Sequence, residues 1–294
     1  MTIAVKIPQA RRAAIRYRRF ILGQVARHLA LIAVGAFFFL PWFWMVSTSL
    51  KPLSQVFRMP PQWIPNPVEW ENYVYAVTAV PLLHYLRNTL FIATIVVIGQ
   101  LLSSSLVAYS FACVDWKGRD KLFLLVLATM MLPGQVTMIP IFIIFTRLGW
   151  INTFLPLTVP AFFGDAFFIF MMRQFFMTIP KDLTDSARLD GASHFDIYLR
   201  LVMPLARPAL ATLIAFTFIW TFTDFQGPLI YLKDRDLWTL SLGMRGYLQR
   251  YGAGGGTAMG AMMAAATLYT LPMIIIFFAA QKTFIQGVVT TGLK

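Results

Sequence analysis

Two acidic residues stand in strongly apolar stretches of the sequence, where an ionisable side chain is costly and marks a functional candidate. They are Asp165 and Asp224, and the second follows Trp220 and precedes Phe225 and Gln226. Aromatic rings beside carboxylate and amide groups can stack on the apolar faces of sugars and bind their hydroxyl groups. The same residues can also pack ordinary helices and find internal hydrogen-bond partners, so both interpretations stay open.

The polar segment 173–208 has helix and turn signals that are more specific than a linker needs. Pro180 suits a helix start, and the sequence predicts a short helix over 181–190 that Gly191 ends. A tight turn then leads into a second helical pattern.

The second helix is predicted to begin after Ser193 and to end at Val202, before Pro204. Ser193 with Asp196 three residues later resembles a capping box, and Asp196 can pair with Arg200 one turn further on. Four apolar residues fall at helical spacing on one face: Phe195, Tyr198, Leu199 and Val202. One interpretation is that this face simply lies on a membrane surface.

Catalytic and metal-site patterns are not apparent in the sequence. The single cysteine, Cys113, cannot form an internal disulfide and lacks the further cysteine and histidine ligands that a zinc site needs. The three histidines, His28, His84 and His194, are scattered along the chain. We therefore expect neither metal catalysis nor a hydrolytic triad.

The composition indicates a membrane protein. The chain has 294 residues, of which 58% are hydrophobic and only 13% are charged. A soluble domain needs about a quarter of its residues charged to cover its surface. The net charge of +13 could indicate nucleic acid or an anionic membrane face, and the hydropathy favours the membrane, so we expect no nucleic-acid partner.

Six apolar windows have about the length of 20 residues, or more, that a membrane-spanning helix needs. They cover 28–50, 89–112, 122–142, 152–172, 209–227 and 258–280. Pro133, Gly134 and Pro140 interrupt the third window, which predicts a kinked helix followed by a short interfacial helix over 141–147. The predicted fold is an all-α membrane protein with six transmembrane helices.

The distribution of Lys and Arg predicts the orientation. With the N-terminus inside, 17 of these residues fall on the cytoplasmic side and 8 on the other. Cytoplasmic loops carry the excess of positive charge, so both termini are expected in the cytoplasm. The predicted organisation is a basic cytoplasmic arm (1–27), a permeation domain (28–281) whose cytoplasmic loop (176–208) lies between helices 4 and 5, and a cytoplasmic tail (282–294).

The loop sequence Asp185-Ser186-Ala187-Arg188-Leu189-Asp190-Gly191-Ala192, followed by Val202-Met203-Pro204, resembles a known family signature. It is similar to the cytoplasmic loop of binding-protein-dependent ABC importer permeases, which reads Glu-Ala-Ala, three residues, Gly, and then a hydrophobic residue and Pro. The sequence departs from that pattern at Asp185, where the family usually has Glu, and at Ser186, where it usually has Ala.

The resemblance extends over most of the chain and is to the shorter, six-span permeases of maltose-type, carbohydrate-uptake systems. The matching stretches run from Pro41-Trp42 to Ser49-Leu50-Lys51-Pro52, then Asn88-Thr89, Ala108-Tyr109-Ser110-Phe111-Ala112, and Phe284-Ile285-Gln286-Gly287.

The resemblance implies that the loop couples the chain to a cytoplasmic ATPase. The implied coupling residues are Asp185, Ala187, Asp190, Gly191, Ala192, Ser193, Phe195 and Pro204. It implies tail contacts with the ATPase through Gln286 and Gly287, and a substrate pathway that includes Trp220, Asp224, Phe225, Gln226 and Asp165.

The implied assembly contains several other components. They are a second, paralogous permease, two copies of an ABC ATPase, an extracytoplasmic solute-binding protein, a sugar substrate and the lipid of a bacterial inner membrane. The sequence has no Walker-type nucleotide motif, so this chain is expected to bind no cofactor, and ATP and Mg²⁺ belong to the ATPase subunits.

Two alternatives come from other functional classes. An ion-gradient-driven secondary transporter could use Asp165 or Asp224 as a proton site, and it predicts an inverted repeat that the sequence does not display. An intramembrane hydrolase would need a nucleophile and a base at one depth, and the serines at 103–105 have no histidine at a comparable depth.

Overall fold

The computed structural model describes residues 9–247 and 259–292, and every regular element in those ranges is helical. Up to Arg147 the helices are α1 (Gln9–Ser49), α2 (Leu53–Val56), α3 (Glu71–Thr78), α4 (Leu82–Cys113), α5 (Arg119–Thr129) and α6 (Gly134–Arg147). Beyond it are α7 (Leu155–Thr158), α8 (Ala166–Phe176), α9 (Lys181–Leu189), α10 (His194–Asp196), α11 (Met203–Leu205), α12 (Arg207–Thr223), α13 (Gln226–Tyr231), α14 (Leu240–Tyr247) and α15 (Met259–Gly292). The described chain is therefore all-α, as predicted.

Four helical segments are long and apolar enough to cross a membrane: Phe20–Ser49, Leu82–Cys113, Leu155–Phe176 and Met259–Ala279. Two further pairs qualify only as bent units. The α5–α6 pair bends by 95°, and the pair formed by His194–Leu205 and α12 bends by 80°. The described chain thus contains between four and six candidate spans.

The third predicted window is broken rather than kinked. Helix α5 ends at Thr129, and α6 begins after Pro133, which has extended backbone angles. A residue that precedes proline is disfavoured in the helical region, which explains why the chain turns here. The prediction of a separate interfacial helix over 141–147 is wrong, because α6 is continuous through Pro140 to Arg147.

The fourth and fifth windows also contain interruptions. In the fourth, a 3-10 turn (Val159–Phe163) and Gly164, at φ +82°, separate α7 from α8. That left-handed backbone angle favours glycine. In the fifth, α12 ends at Thr223 and α13 begins at Gln226, so Asp224 lies in a short break rather than inside a helix.

Helix α4 is the central element, and it packs on both α8 and α12. Towards its C-terminal end it contributes Ala108 and Phe111 to an apolar cluster with α8 and the segment after Ser193. At its N-terminal end Leu82 and Tyr85 join a second cluster with α14 and α15. Helix α1 instead packs on α15 and leaves most of its apolar surface exposed within this chain.

Candidate functional site

Helix α9 ends in a glycine-dependent cap. The Gly191 N–H donates to the Arg188 carbonyl, and the Ala192 N–H donates to the Ala187 carbonyl, both at 3.0 Å. Gly191 has φ +83°. This pair of bonds around a left-handed glycine is a Schellman motif, which satisfies carbonyl groups at the helix end and reverses the chain. The predicted turn at Gly191 is confirmed.

Ser193 caps the following helix as the sequence predicts. Its hydroxyl accepts a hydrogen bond from the Asp196 N–H at 3.2 Å and also contacts the Asp196 carboxylate. Arg200 lies 3.5 Å from the same carboxylate. Hydrogen bonding from the Ser193 hydroxyl, with a smaller contribution from Arg200, holds the pKa of the partly exposed Asp196 carboxyl below its ordinary value.

The helix after the cap differs from the prediction. It continues past Val202 to Leu205 through a π-helical turn (Ile197–Val202), and Pro204 lies within the helical run. The wider turn changes which residues face inward. Ile197, Tyr198 and Val202 are buried, while the predicted face members Phe195 and Leu199 are exposed.

The segment therefore presents apolar side chains to its surroundings. Leu189 is 89% exposed and Phe195 is 63% exposed, and Leu183 and Leu199 are also exposed. We call these four residues the loop surface. The small residues Ala187 and Ala192 instead pack against the apolar cluster at the end of α4. Asp185, 3.6 Å from Arg188, as well as Asp190 and Pro204, are exposed.

Two polar contacts join this segment to α4. The Arg188 guanidinium donates to the Cys113 carbonyl at 3.1 Å, at the C-terminal end of α4. Deeper in the structure, the Tyr198 hydroxyl lies 2.7 Å from the Ser105 hydroxyl, and both residues are buried. The sequence analysis missed this pair, although a tyrosine on an apolar helix face and a serine in an apolar span both need polar partners.

Asp165 is a helix cap in this structure. Its carboxylate accepts hydrogen bonds from the Phe167 N–H at 2.9 Å and the Phe168 N–H at 3.3 Å, at the start of α8. Its own N–H donates to the Ser104 hydroxyl at 3.2 Å. Asp165 therefore has the internal hydrogen-bond partners that are expected of a residue with a structural role.

Asp224 and Trp220 line a common cavity of about 280 Å³, which we call the inner cavity. The Asp224 carboxylate accepts a hydrogen bond from the Gly227 N–H at 3.1 Å. A Cβ atom at Gly227 would clash with that carboxylate, so glycine permits the close approach. The remaining lining residues are Thr89, Ile92, Leu157, Thr221, Pro228 and Thr239.

The next two substrate-pathway candidates in sequence, Phe225 and Gln226, contact other residues. Phe225 has the Arg245 guanidinium 5.8 Å from its ring centroid, and the Gln226 amide lies 3.2 Å from the Met138 sulfur. Neither residue lines the inner cavity. The predicted tail contacts at Gln286 and Gly287 lie outside the residues whose surroundings the structure describes.

Asn88 and Thr89, one of the stretches that resemble the permease family, form hydrogen bonds with a distant segment of the chain. The Asn88 amide donates to the carbonyls of Asp236 at 2.8 Å and Trp238 at 3.0 Å. The Thr89 hydroxyl accepts from the Leu240 N–H at 2.8 Å. The first turns of α4 therefore hold the segment 236–240 along the side of the inner cavity.

The sequence and the fold both have known relatives. The chain is 31% identical over 268 residues to the arabinooligosaccharides transport system permease protein AraQ of Halalkalibacterium halodurans. This alignment covers 90% of the present chain and 94% of AraQ. The chain is also 31% identical over 242 residues to the sn-glycerol-3-phosphate transport system permease protein UgpE of Yersinia pestis, over 80% and 85% of the two chains.

A solved structure shares the fold. It is the crystal structure of a bacterial ABC transporter involved in the import of the acidic polysaccharide alginate, with a TM-score of 0.80 and 21% sequence identity. The match covers 91% of this chain and 98% of that chain. The family described as binding-protein-dependent transport system inner membrane component matches residues 100–290. This span includes α9, the Ser193 cap and Asp224, and the chain belongs to that family of transport subunits.

Proposed function

We propose that the chain is one of two transmembrane subunits of an ATP-driven, binding-protein-dependent importer for a sugar or sugar derivative. It forms half of the pathway beside a second, paralogous permease. Two copies of a cytoplasmic ATPase bind ATP and Mg²⁺, and an extracytoplasmic binding protein delivers the substrate. The substrates for which the relatives are named, arabinooligosaccharides and sn-glycerol 3-phosphate, support this substrate class. Family membership favours an importer over the ion-gradient alternative.

The proposed topology has six spans in a bacterial inner membrane, with the bent α5–α6 pair as the third span, residues 209–227 as the fifth, and both termini in the cytoplasm. The distribution of Lys and Arg supports this orientation. In a Cys113→Ser background, cysteines at the exposed positions Asp182 and Lys233 should react with an impermeant thiol reagent from opposite sides. Labelling of both positions from the same side would contradict the orientation.

The loop surface is the observation that carries the coupling proposal. Exposed apolar side chains that stand beyond the membrane-spanning helices need either a lipid interface or a protein partner. A short helix with a rigid glycine cap is well suited to a cleft on the ATPase. The Arg188–Cys113 and Tyr198–Ser105 contacts then transmit displacement of the docked segment to α4.

Leu189→Ser tests this docking directly. Because the Leu189 side chain is 89% exposed in the chain alone, the substitution should leave membrane insertion unchanged. It should reduce co-purification of the ATPase subunit severalfold. Ile64→Ser is the matched control, since Ile64 is 75% exposed and lies outside the segment 176–208. Equal ATPase recovery from both variants would favour the membrane-surface interpretation of the loop.

The inner cavity is the proposed sugar contact of this chain. Trp220 offers an aromatic face, and the free acceptor capacity of the Asp224 carboxylate can bind hydroxyl groups. Phe225, Gln226 and Asp165 do not line this cavity, so we propose roles for them in helix packing and capping.

A further inference from the structure

A second cavity lies beside the inner cavity and shares none of its lining residues. It has a volume of about 610 Å³, and its walls include Tyr85, Arg235, Asp236 and Trp238. We call it the outer cavity. Its volume falls within the range of about 300–1,000 Å³ that is typical of small-molecule sites.

Residues that are close together in sequence line the two cavities. Trp238 lines the outer cavity and Thr239 lines the inner one, while Tyr85 and Thr89 contribute to them from successive turns of α4. The segment that Asn88 holds against α4 thus separates the two spaces.

The polar rim of the outer cavity is fixed in position. Arg235 and Asp236 belong to a 3-10 turn (Arg235–Leu237), and the Asp236 carbonyl accepts hydrogen bonds from both the His84 ring, at 2.6 Å, and the Asn88 amide, at 2.8 Å. These bonds hold the backbone and leave the charged side chains of Arg235 and Asp236 exposed. Such preorganisation lowers the cost of ordering a binding site.

Its aromatic wall depends on two glycines. The rings of Tyr85 and Trp238 lie 6.2 Å apart between centroids. A Cβ atom at Gly243 would overlap the Tyr85 ring, and one at Gly246 would lie 2.9 Å from Cζ3 of Trp238. Helix α14 can therefore approach both rings closely only because these positions lack side chains.

The chemistry of the outer cavity suits a neutral, hydroxyl-rich ligand. Aromatic faces pack on the C–H surfaces of sugar rings, while guanidinium and carboxylate groups donate to and accept from adjacent hydroxyls. Because Arg235 and Asp236 line it together, their formal charges cancel, and the cavity has no clear preference for an anion.

We propose that the outer cavity is a second carbohydrate-binding subsite, which a sugar occupies before it enters the inner cavity. This inference rests on the proposed sugar importer function and adds a specific site to it. It assigns ligand contacts to Arg235, Asp236 and Trp238, while Tyr85, which is only 3% exposed, supports the Trp238 ring from behind.

Protection of a cysteine tests the subsite in the complete transporter, reconstituted with its partner subunits but without the binding protein. Ala79 lines the outer cavity, and the adjacent Thr78 is exposed and does not line it. Each is replaced by cysteine in a Cys113→Ser background and labelled with an impermeant thiol reagent. The probes are arabinotriose and maltotriose as neutral sugars and sn-glycerol 3-phosphate as an anion.

We expect at least one neutral sugar to slow labelling of Ala79→Cys about threefold or more and to leave Thr78→Cys unchanged. Adding Arg235→Gln and Asp236→Asn should abolish this protection, whereas Lys233→Gln, at an exposed position outside both cavities, should not. Protection by the anion alone, protection by none of the probes, or an Ala79→Cys that is unreactive because a partner covers it would each overturn the proposal.

A parallel assay separates this inference from the proposed function. The same proteoliposomes are supplied with the binding protein, and sugar-stimulated ATP hydrolysis is measured. Stimulation without protection of Ala79→Cys overturns the subsite alone. If no sugar stimulates hydrolysis, the proposed sugar importer itself fails.

Discussion

The hydroxyl of Tyr198, in the helical run that follows the Ser193 cap, lies 2.7 Å from the hydroxyl of Ser105 on α4, and both side chains are buried. This is a polar contact between the segment that carries the loop surface and the central helix of the fold. A buried hydroxyl that loses its partner costs about 1–3 kcal/mol. The pair therefore favours one relative position of these two elements.

Tyr198→Phe should weaken coupling without preventing insertion. Loss of the hydroxyl leaves Ser105 with only its bond to the Leu101 carbonyl, and the folded state should lose about 1 kcal/mol. We expect a lower ratio of sugar uptake to ATP hydrolysis in reconstituted complexes, together with a lower melting temperature.

Tyr109→Phe is the matched control for that substitution. The Tyr109 ring lies 5.3 Å from the Tyr198 ring, and its buried hydroxyl has no hydrogen-bond partner among the described residues. Its removal should leave stability unchanged or slightly higher. A loss of coupling in Tyr109→Phe as large as in Tyr198→Phe would show that the tyrosine hydrogen bond is not the cause.

Gly191→Ala should destabilise the cap of α9 through its backbone alone. The space around a Cβ atom at this position is open within 4 Å, but φ is +83°. An L-residue in that conformation costs roughly 1–2 kcal/mol. We expect reduced ATPase association on co-purification. Gly191→Asn is the comparison, because asparagine tolerates the left-handed region, and it should retain more association than Gly191→Ala. The reverse order would contradict the cap argument.

The Ser193 cap should contribute stability that depends on pH. The pKa of Asp196 is depressed in the folded state, so its contribution is present above the unfolded-state pKa and is lost as pH falls through the folded-state value. The melting temperature of Ser193→Ala should therefore lie below that of the parent at neutral pH. The difference should shrink as pH falls below about 4. A difference that is constant with pH would exclude the Asp196 carboxylate as its source.

Asp165→Asn and Asp165→Ala distinguish a cap from a substrate contact. Asparagine caps a helix nearly as well as aspartate, whereas alanine costs about 0.5–2 kcal/mol. Because the Asp165 carboxylate bonds to two backbone N–H groups of α8, we expect Asp165→Asn to keep normal uptake and melting temperature and Asp165→Ala to lose stability. A selective loss of uptake in the stable Asp165→Asn variant would instead assign it to the pathway.

Local signals in the sequence predicted much of the helical structure of residues 181–205 but not its packing. Turn chemistry predicted the caps at Gly191 and Ser193, because each depends on residues within a few positions. Across the π-helical turn at Ile197–Val202, Ile197 is buried in place of the predicted Phe195 and Leu199, and helical periodicity cannot anticipate such a turn.

Contacts between distant residues were the part that the sequence could not supply. In the sequence, Lys51 is notable only as part of a stretch that resembles the permease family. In the structure it is 1% exposed, and its ammonium lies 3.8 Å from the centroid of the Trp44 ring. The outer cavity likewise joins Tyr85 of α4 to Trp238, about 150 positions later. Periodicity reports which face of a helix is apolar, and it does not identify the partner of that face.

Asp224→Asn tests whether the inner cavity binds sugar through this carboxylate. The amide oxygen of asparagine can still accept from the Gly227 N–H and from one hydroxyl of a ligand, so the break between α12 and α13 should keep its conformation. Asp224→Ala removes both functions and leaves that N–H without its partner. In reconstituted transporter we expect uptake to fall partly in Asp224→Asn and further in Asp224→Ala. The residual uptake should depend on ATP and resist an uncoupler, because no proton is carried. Full activity in both variants would show that Asp224 is structural, whereas complete loss in Asp224→Asn with uncoupler-sensitive parental uptake would restore the proton-carrier alternative.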